Sequence, residues 1–235
     1  MKKKTAPRRI LIAIHGFGRR KQADFEFLQQ QLADWKTVEY RSFDLYEEQR
    51  DTQKEWRLWV ARAQQEVMRY MEEGAEVCLL GFSMGGVIAS FLASFLPVSK
   101  LILIAPAFQY MKMETIRRLI PKYARILRQS ETEFRQAVEE RMLDYTYVPQ
   151  FVELVNKLKP AVKQVRCPVL ILQGLQDEFV PLSSARYAYR HVQSERKQLV
   201  CFEECGHELL ENRRCRQDAA LLIQAFLLDR WGNLS

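Results

Sequence analysis

Short apolar segments alternate with longer segments of helical periodicity along most of this chain. Apolar side chains in residues 24–35, 53–71 and 216–231 recur at the three-and-four spacing of a helix buried on one side. The segments with strand character are residues 9–14, 38–43, 76–80, 100–105, 169–173 and 198–202. Because helices that separate buried strands cover both faces of a sheet, this order predicts an α/β fold with a mostly parallel sheet of about six strands flanked by helices.

The alternation is interrupted once, between residues 107 and 165. This segment has helical character, contains Pro121, Pro149 and Pro160 as interruptions, and holds no convincing strand. We therefore predict a helical cap insertion at 107–165 and a core formed by residues 1–106 and 166–235. A chain of 235 residues is long enough to bury one sizeable core and too short for two full domains.

Composition and charge narrow the class of protein. Hydrophobic residues at 48% and charged residues at 28% are ordinary globular values, and no apolar stretch has the length of a membrane span. The apolar run that follows the basic start is too short for a secretion signal, so we expect a cytoplasmic monomer or homodimer without stable membrane insertion. The net charge of +7 is scattered, and nucleic acid is not an expected partner because no basic stripe is interleaved with aromatic residues.

The cysteines indicate neither a disulfide framework nor a metal centre. There are five of them, an odd number without paired spacing, which predicts free thiols in a reducing compartment. Cys201, Cys205 and Cys215 lie near His207 in sequence, but their spacing differs from that of tight zinc sites. We therefore predict no metal and no cofactor.

Residues 81–85 read GFSMG, with an apolar segment before them and a run of small residues after them. A serine between two glycines at a strand-to-helix turn is the pattern of a nucleophile elbow, which projects the hydroxyl outward. Glycines suit the flanking positions because a side chain there would collide with the neighbouring strand or helix. We predict that Ser83 is a nucleophile.

A serine hydroxyl needs a base within hydrogen-bonding reach, and the chain has three histidines. In this topology the base follows the nucleophile and the acid along the chain. His207 fits, since it follows the last strand in a loop begun by Gly206. His191 lies in an amphipathic segment in which no neighbouring residue suggests catalysis. His15 is better placed to hold the loop after the first strand in position by hydrogen bonding.

The acid should follow a strand that lies between these two residues in sequence. Asp177 comes after the fifth strand and a glycine turn, and it would fix the tautomer of the imidazole and stabilise the imidazolium. Its neighbour Glu178 is the less favoured alternative, as a solvated loop charge. The preceding strand ends without a carboxylate.

An oxyanion requires two preorganised backbone N–H groups. Met84, the residue after the nucleophile, offers one at a helix N-terminus. The loop after the first strand should offer the other, and Phe17 is the candidate because Gly16 lets the backbone approach closely.

Together these motifs resemble the α/β-hydrolase superfamily of serine hydrolases, especially compact bacterial carboxylesterases and monoacylglycerol lipases. The resemblance runs from Ile10 to Trp231 and is carried by HGF at 15–17, GFSMGG at 81–86, LIAP at 103–106, GLQDEFVP at 174–181 and GH at 206–207.

The resemblance implies a Ser83, His207 and Asp177 triad, an oxyanion hole at Phe17 and Met84, the helical cap, and the absence of two leading antiparallel strands. The chain departs from the pattern at one place. Many of these lipases carry Gly-His-Gly after the second strand of the present numbering, where residues 42–46 here read SFDLY. This departure leaves the triad intact but weakens assignment to the lipases.

The cap segment is rich in aromatic residues and methionine, which favours an apolar cleft and an ester with a small, short-to-medium acyl group. Gly16, Phe17 and Phe108 are the predicted substrate-binding residues. Arg19 and Arg20 leave open a thioester or amide with an anionic group, and a non-catalytic binding protein is the other alternative.

Overall fold

The described strands form one parallel sheet, as predicted. A computed structural model of the chain describes residues 8–17, 25–34, 38–46, 55–110 and 148–230. The strands are β1 (Arg9–Ile14), β2 (Glu39–Ser42), β3 (Glu76–Phe82), β4 (Lys100–Ile104), β5 (Val169–Gly174) and β6 (Lys197–Phe202). They form a six-stranded sheet in the order β2-β1-β3-β4-β5-β6, and every neighbouring pair is parallel.

Helices cover both faces of this sheet. They are α1 (Glu26–Asp34), α2 (Trp56–Glu72), α3 (Met84–Ala93), α4 (Val148–Leu158), α5 (Leu182–His191) and α6 (Arg216–Leu227), and a 3-10 helix (Lys159–Gln164) follows α4. The last helix ends at Leu227, before the predicted end at residue 231. Gly74 follows α2 with a φ of 79°, as expected for a residue that ends a helix.

The pleat of β1 explains the two hydrophobic layers. Ile10 and Ile12 point into the cluster that contains the apolar faces of α2, α3, α4 and α5, whereas Leu11 and Ala13 point into the cluster beneath α1 and α6. Successive side chains of a strand face opposite sides of the sheet, so a run of apolar residues without alternation is what a doubly covered strand requires.

The order of the strands determines where a site can form. The chain runs from β1 to β2 at one edge of the sheet, returns to β3 on the other side of β1, and then continues outward to β6. In parallel sheets the carboxyl ends of all strands lie at one edge, and ligands bind there near the point where the order reverses. The loops after β1, β3, β5 and β6 therefore meet at that edge.

The described part of the predicted cap packs into the core. Leu154 and Val155 of α4 are buried in the same cluster as Ile12 of β1. The side chain of Gln150 accepts a hydrogen bond from the backbone N–H of Trp56 at the start of α2 (3.0 Å). Residues 111–147 of the predicted cap lie outside the described residues.

None of the helices described is both long enough and apolar enough to cross a membrane.

Candidate active site

Ser83 occupies a strained turn between β3 and α3. Its φ of 54° lies in the left-handed region that residues other than glycine rarely adopt, and such strain persists where the surrounding structure enforces it. A Cβ on Gly81 would lie 2.5 Å from the Cα of Gly86, and one on Gly85 would lie 2.6 Å from the carbonyl oxygen of His15. Glycine is therefore required on both sides of Ser83.

The loop after β4 holds this turn in place. The N–H of Ser83 donates to the carbonyl of Ile104 (2.9 Å), and the N–H of Ala107 donates to the carbonyl of Ser83 (3.1 Å). Both backbone groups of the serine are thus bound, and its side chain is left to project from the turn.

The loop after β1 lies directly against the serine. A Cβ on Gly16 would lie 3.3 Å from the Cβ of Ser83 and 3.0 Å from the ring of Phe82, so only glycine permits this approach without displacing a neighbour. Phe17 follows in this loop, and Met84 is the first residue of α3, where N–H groups have no intrahelical acceptor. Of the two predicted oxyanion residues, Phe17 therefore lies in the loop that contacts Ser83, and Met84 directly follows Ser83.

His15 braces the β1 loop, as predicted. The side chain is buried, its Nδ1 donates to the carbonyl of Gly16 (2.8 Å), and its Nε2 accepts from the N–H of Leu45 (2.9 Å). Because both ring nitrogens are bound within the protein, this histidine is not a base. Leu45 belongs to the segment that departs from the lipase pattern, and its backbone supplies this support.

Asp177 and His207 are brought together by the loops after β5 and β6. The Nδ1 of His207 lies 2.7 Å from the Oδ2 of Asp177, and a carboxylate in this position fixes the proton on Nδ1 and leaves Nε2 as an acceptor. The Oδ1 of Asp177 accepts from the backbone N–H groups of Phe179 and Val180, both at 2.8 Å. The alternative acid, Glu178, is exposed.

Gln173, the last residue but one of β5, completes the surroundings of this carboxylate. It is fully buried, and its Nε2 lies 3.1 Å from the Oδ2 of Asp177 and 3.1 Å from the carbonyls of Gly174 and Val180. The sequence analysis did not identify this residue. The available signal was one polar side chain in a strand whose other residues are all apolar or glycine.

The ring of His207 lies beside that of Phe82, the residue that precedes Ser83. The two ring centroids are 4.8 Å apart, and the ring of Phe179 lies 5.4 Å away. Among the described contacts, none is a hydrogen bond from the hydroxyl of Ser83 to His207. Catalytic hydrogen bonds are often long before substrate binds and tighten in the substrate complex.

Two other candidate residues, His191 and Phe108, are described, and the ring of each contacts that of Tyr187. His191 stacks on Tyr187 (4.1 Å between centroids) and bonds to the carbonyl of that residue (2.8 Å). Phe108 is buried in the core, with its ring 5.8 Å from that of Tyr187. Arg19 and Arg20 lie outside the described residues.

The prediction of free thiols is wrong for one pair of cysteines. Cys205 and Cys215 are joined by a disulfide, with Cα atoms 6.5 Å apart, a separation within the range that such bonds span. Their spacing in sequence gave no signal, because the fold brings the two ends of the His207 loop together.

Burial raises the pKa of the Cys78 and Cys167 thiols to about 12. Within the described ranges, no cluster of His, Cys, Asp and Glu could hold a metal ion.

Comparisons with known proteins agree with this architecture. The model of the family "Serine aminopeptidase, S33", a hydrolase family, matches residues 5–214. A carboxylesterase of Bacillus subtilis (strain 168) is 25% identical over 141 residues, which are 57% of this chain and 57% of that protein. The chain thus matches little more than half the length of that relative.

Solved structures show the same fold. A structure from work on the metagenome-derived lipolytic enzymes LipS and LipT has a TM-score of 0.73 at 20% identity, over 95% of this chain and 94% of that one. A monoacylglycerol lipase of Paleococcus ferrophilus has a TM-score of 0.70 at 15% identity, over 95% of this chain and 96% of that one.

Proposed function

Because the chain belongs to the serine aminopeptidase S33 family and has the α/β-hydrolase fold, we propose that it is a serine hydrolase of carboxylic esters. The preferred substrates carry a small, apolar, short-to-medium acyl group, and the reaction passes through an acyl-enzyme. The observation that carries the proposal is the hydrogen bond between His207 and Asp177 at the same edge of the sheet as the strained Ser83. The carboxylesterase and lipase names of the similar proteins support it.

In the first half of the reaction, the Oγ of Ser83 attacks the ester carbonyl carbon while the Nε2 of His207 takes its proton. The carboxylate of Asp177 stabilises the imidazolium that forms and keeps the Nδ1 proton in place. The tetrahedral intermediate collapses when the alcohol leaves with the proton from Nε2. Water then attacks the acyl-enzyme with the same base, and the acid product is released.

The developing oxyanion is held by the backbone N–H groups of Phe17 and Met84. This assignment is supported by the close approach of Gly16 to Ser83 and by the position of Met84 at the start of α3. An N–H at a helix N-terminus carries partial positive charge and is fixed before the reaction begins. Each such donor contributes about 2.7–4 kcal/mol to transition-state stabilisation.

An aromatic cluster beside the oxyanion loop supports an apolar acyl group. The rings of Phe17 and Tyr110 each lie 5.0 Å from that of Phe151 on α4. Burial raises the pKa of Tyr110 above its ordinary value, so its phenol stays neutral at physiological pH. Of the other predicted substrate-binding residues, Gly16 borders Ser83, and Phe108 is buried in the core.

A panel of p-nitrophenyl esters with increasing acyl length tests the proposal, with an aminoacyl p-nitroanilide included because the family description names an aminopeptidase. We expect turnover of the short and medium esters, little turnover of the anilide, and loss of activity in Ser83→Ala. Ser94→Ala is the matched control, since the hydroxyl of Ser94 donates to the carbonyl of Phe91 at the end of α3. Absence of ester turnover, or turnover that survives in Ser83→Ala, would contradict the proposal.

A further inference from the structure

Gln173 is a polar side chain where an apolar one is expected. It is the only polar residue of β5, whose sequence is VLILQG, and every residue of that strand is buried. Burial of an amide is unfavourable unless it forms hydrogen bonds. The two protons of its Nε2 are shared among three acceptors, the carbonyls of Gly174 and Val180 and the carboxylate of Asp177, whereas its Oε1 is buried and has no hydrogen-bond partner among the described residues.

The contacts of Asp177 divide between its two oxygens. Two backbone N–H groups bind Oδ1 at 2.8 Å, whereas His207 at 2.7 Å and Gln173 at 3.1 Å share Oδ2. The oxygen that bonds to the base therefore has one further side-chain partner, Gln173. Rotation of the carboxylate away from His207 would break the bond to Gln173.

We infer that Gln173 is a positioning residue that holds the Oδ2 of Asp177 toward His207. This inference rests on the proposed function, in which the bond between Asp177 and His207 keeps the imidazole aligned with Ser83. The amide of Gln173 contacts both ends of the β5 loop, at Gly174 and Val180, and also contacts Asp177. The same side chain therefore holds the backbone of the loop and the orientation of the carboxylate. Supporting hydrogen bonds of this kind determine whether a catalytic group keeps its productive geometry.

The test compares Gln173→Met, which keeps the length and removes the amide, with Gln173→Asn, which keeps the amide and shortens its reach. Ser194→Ala is the matched control. Ser194 is also a buried polar residue, and its hydroxyl bonds to Arg196 in the turn before β6, where it has no contact with Asp177.

Two readouts separate positioning from stability alone. With p-nitrophenyl butanoate as the probe, kcat should fall about tenfold in both Gln173 variants, as expected for loss of one hydrogen bond to a charged group, while KM changes little because Gln173 does not touch the substrate. The downfield proton NMR signal of His207 Nδ1–H, assigned by its loss in His207→Ala, should shift or broaden. Ser194→Ala should alter neither readout, even where its unfolding temperature falls.

The NMR readout needs no substrate, so this inference and the proposed function fail separately. Failure of the wild-type protein to hydrolyse the ester would contradict the proposed function. The NMR signal of His207 Nδ1–H would then still test the role of Gln173. Folded Gln173 variants with unchanged kcat and an unchanged signal would overturn the positioning role. Loss of folding in both variants would also overturn it, because Gln173 would then serve the fold of the loop.

Discussion

The two halves of the candidate site are built in different ways. The nucleophile half, formed by the loops after β1 and β3, is held by backbone packing: glycines let β1, Ser83 and α3 approach closely. The base half, formed by the loops after β5 and β6, also contains a close backbone approach, since a Cβ on Gly174 would lie 2.7 Å from the carbonyl carbon of Cys205. Its functional groups, however, are held by side chains: Gln173, Asp177 and His207 form a chain of hydrogen bonds.

The difference follows from what each half must do. In the proposed reaction, the nucleophile and the oxyanion donors need fixed backbone positions, and close packing of backbone against backbone supplies them. The base must hold one tautomer and accept a proton, and directed hydrogen bonds supply that. Substitutions at the glycines of either half, Gly174 included, should therefore act mainly on folding. Substitutions at the polar side chains of the second half should act mainly on turnover.

The largest expected effect concerns Ser83 and His207, one residue from each half of the site. Ser83→Ala and His207→Ala should each lower kcat for a p-nitrophenyl ester by about 10⁶-fold, and the double variant should be no worse than either, because groups that act as a unit are not additive. Steady-state kinetics of the three variants measures this. Additive losses in the double variant would mean that the two residues act independently.

The second prediction concerns the acid. Asp177→Asn should lower kcat by about 10⁴-fold with the fold retained, because an amide in this position favours the wrong tautomer of His207. Glu178→Gln is the matched control in the adjacent position, and it should retain activity since Glu178 is exposed. The same kinetic assay, with circular dichroism for folding, measures both. The assignment of the acid is wrong if Glu178→Gln is the more damaging change.

The third prediction tests the backbone-built half through stability. Gly85→Ala should lower the free energy of unfolding by about 4 kcal/mol or more, since its Cβ would overlap the carbonyls of Ile14 and His15. Gly74→Ala, where a Cβ meets nothing within 4 Å and only the positive φ is strained, should cost about 1 kcal/mol. Urea unfolding of both variants gives the comparison. Equal losses would show that close packing does not distinguish Gly85.

The smallest effect concerns the disulfide that closes the His207 loop. Denatured, unreduced protein should show three thiols, those of Cys78, Cys167 and Cys201, and reduction should lower the free energy of unfolding by about 2 kcal/mol. Burial raises the pKa of all three thiols, so in the native protein the rate of reaction should follow exposure, with the exposed Cys201 the fastest. Thiol titration and urea unfolding measure these effects.

The control for the disulfide is Cys205→Ala with Cys215→Ala, whose stability should not respond to reductant. Five thiols in the denatured, unreduced protein would show that the pair is not bonded.

The same contrast explains how far the sequence could predict the site. The turn at Ser83 was predictable because only glycine fits on either side of it. This requirement gives the sequence a recognisable pattern, a serine with a glycine two residues before it and another two residues after it. The contact between Asp177 and His207 was predictable from their order after two recognisable strands. The six strands were also found, because strands covered on both faces must be apolar throughout.

The missed features depend on side chains that meet across loops. Gln173 reaches Asp177 only because the β5 loop folds back over it, and the Cys205–Cys215 bond depends on the path of the His207 loop. Spacing along the chain does not encode such contacts.

Reaction with a fluorophosphonate, followed by mass spectrometry of the intact protein and its peptides, tests the central claim most directly. The claim is that His207 activates Ser83. It predicts one adduct on the peptide that contains Ser83, no adduct in Ser83→Ala, and a much slower reaction in His207→Ala. An adduct on another serine, no adduct on the wild-type protein, or labelling at the wild-type rate in His207→Ala would contradict the account.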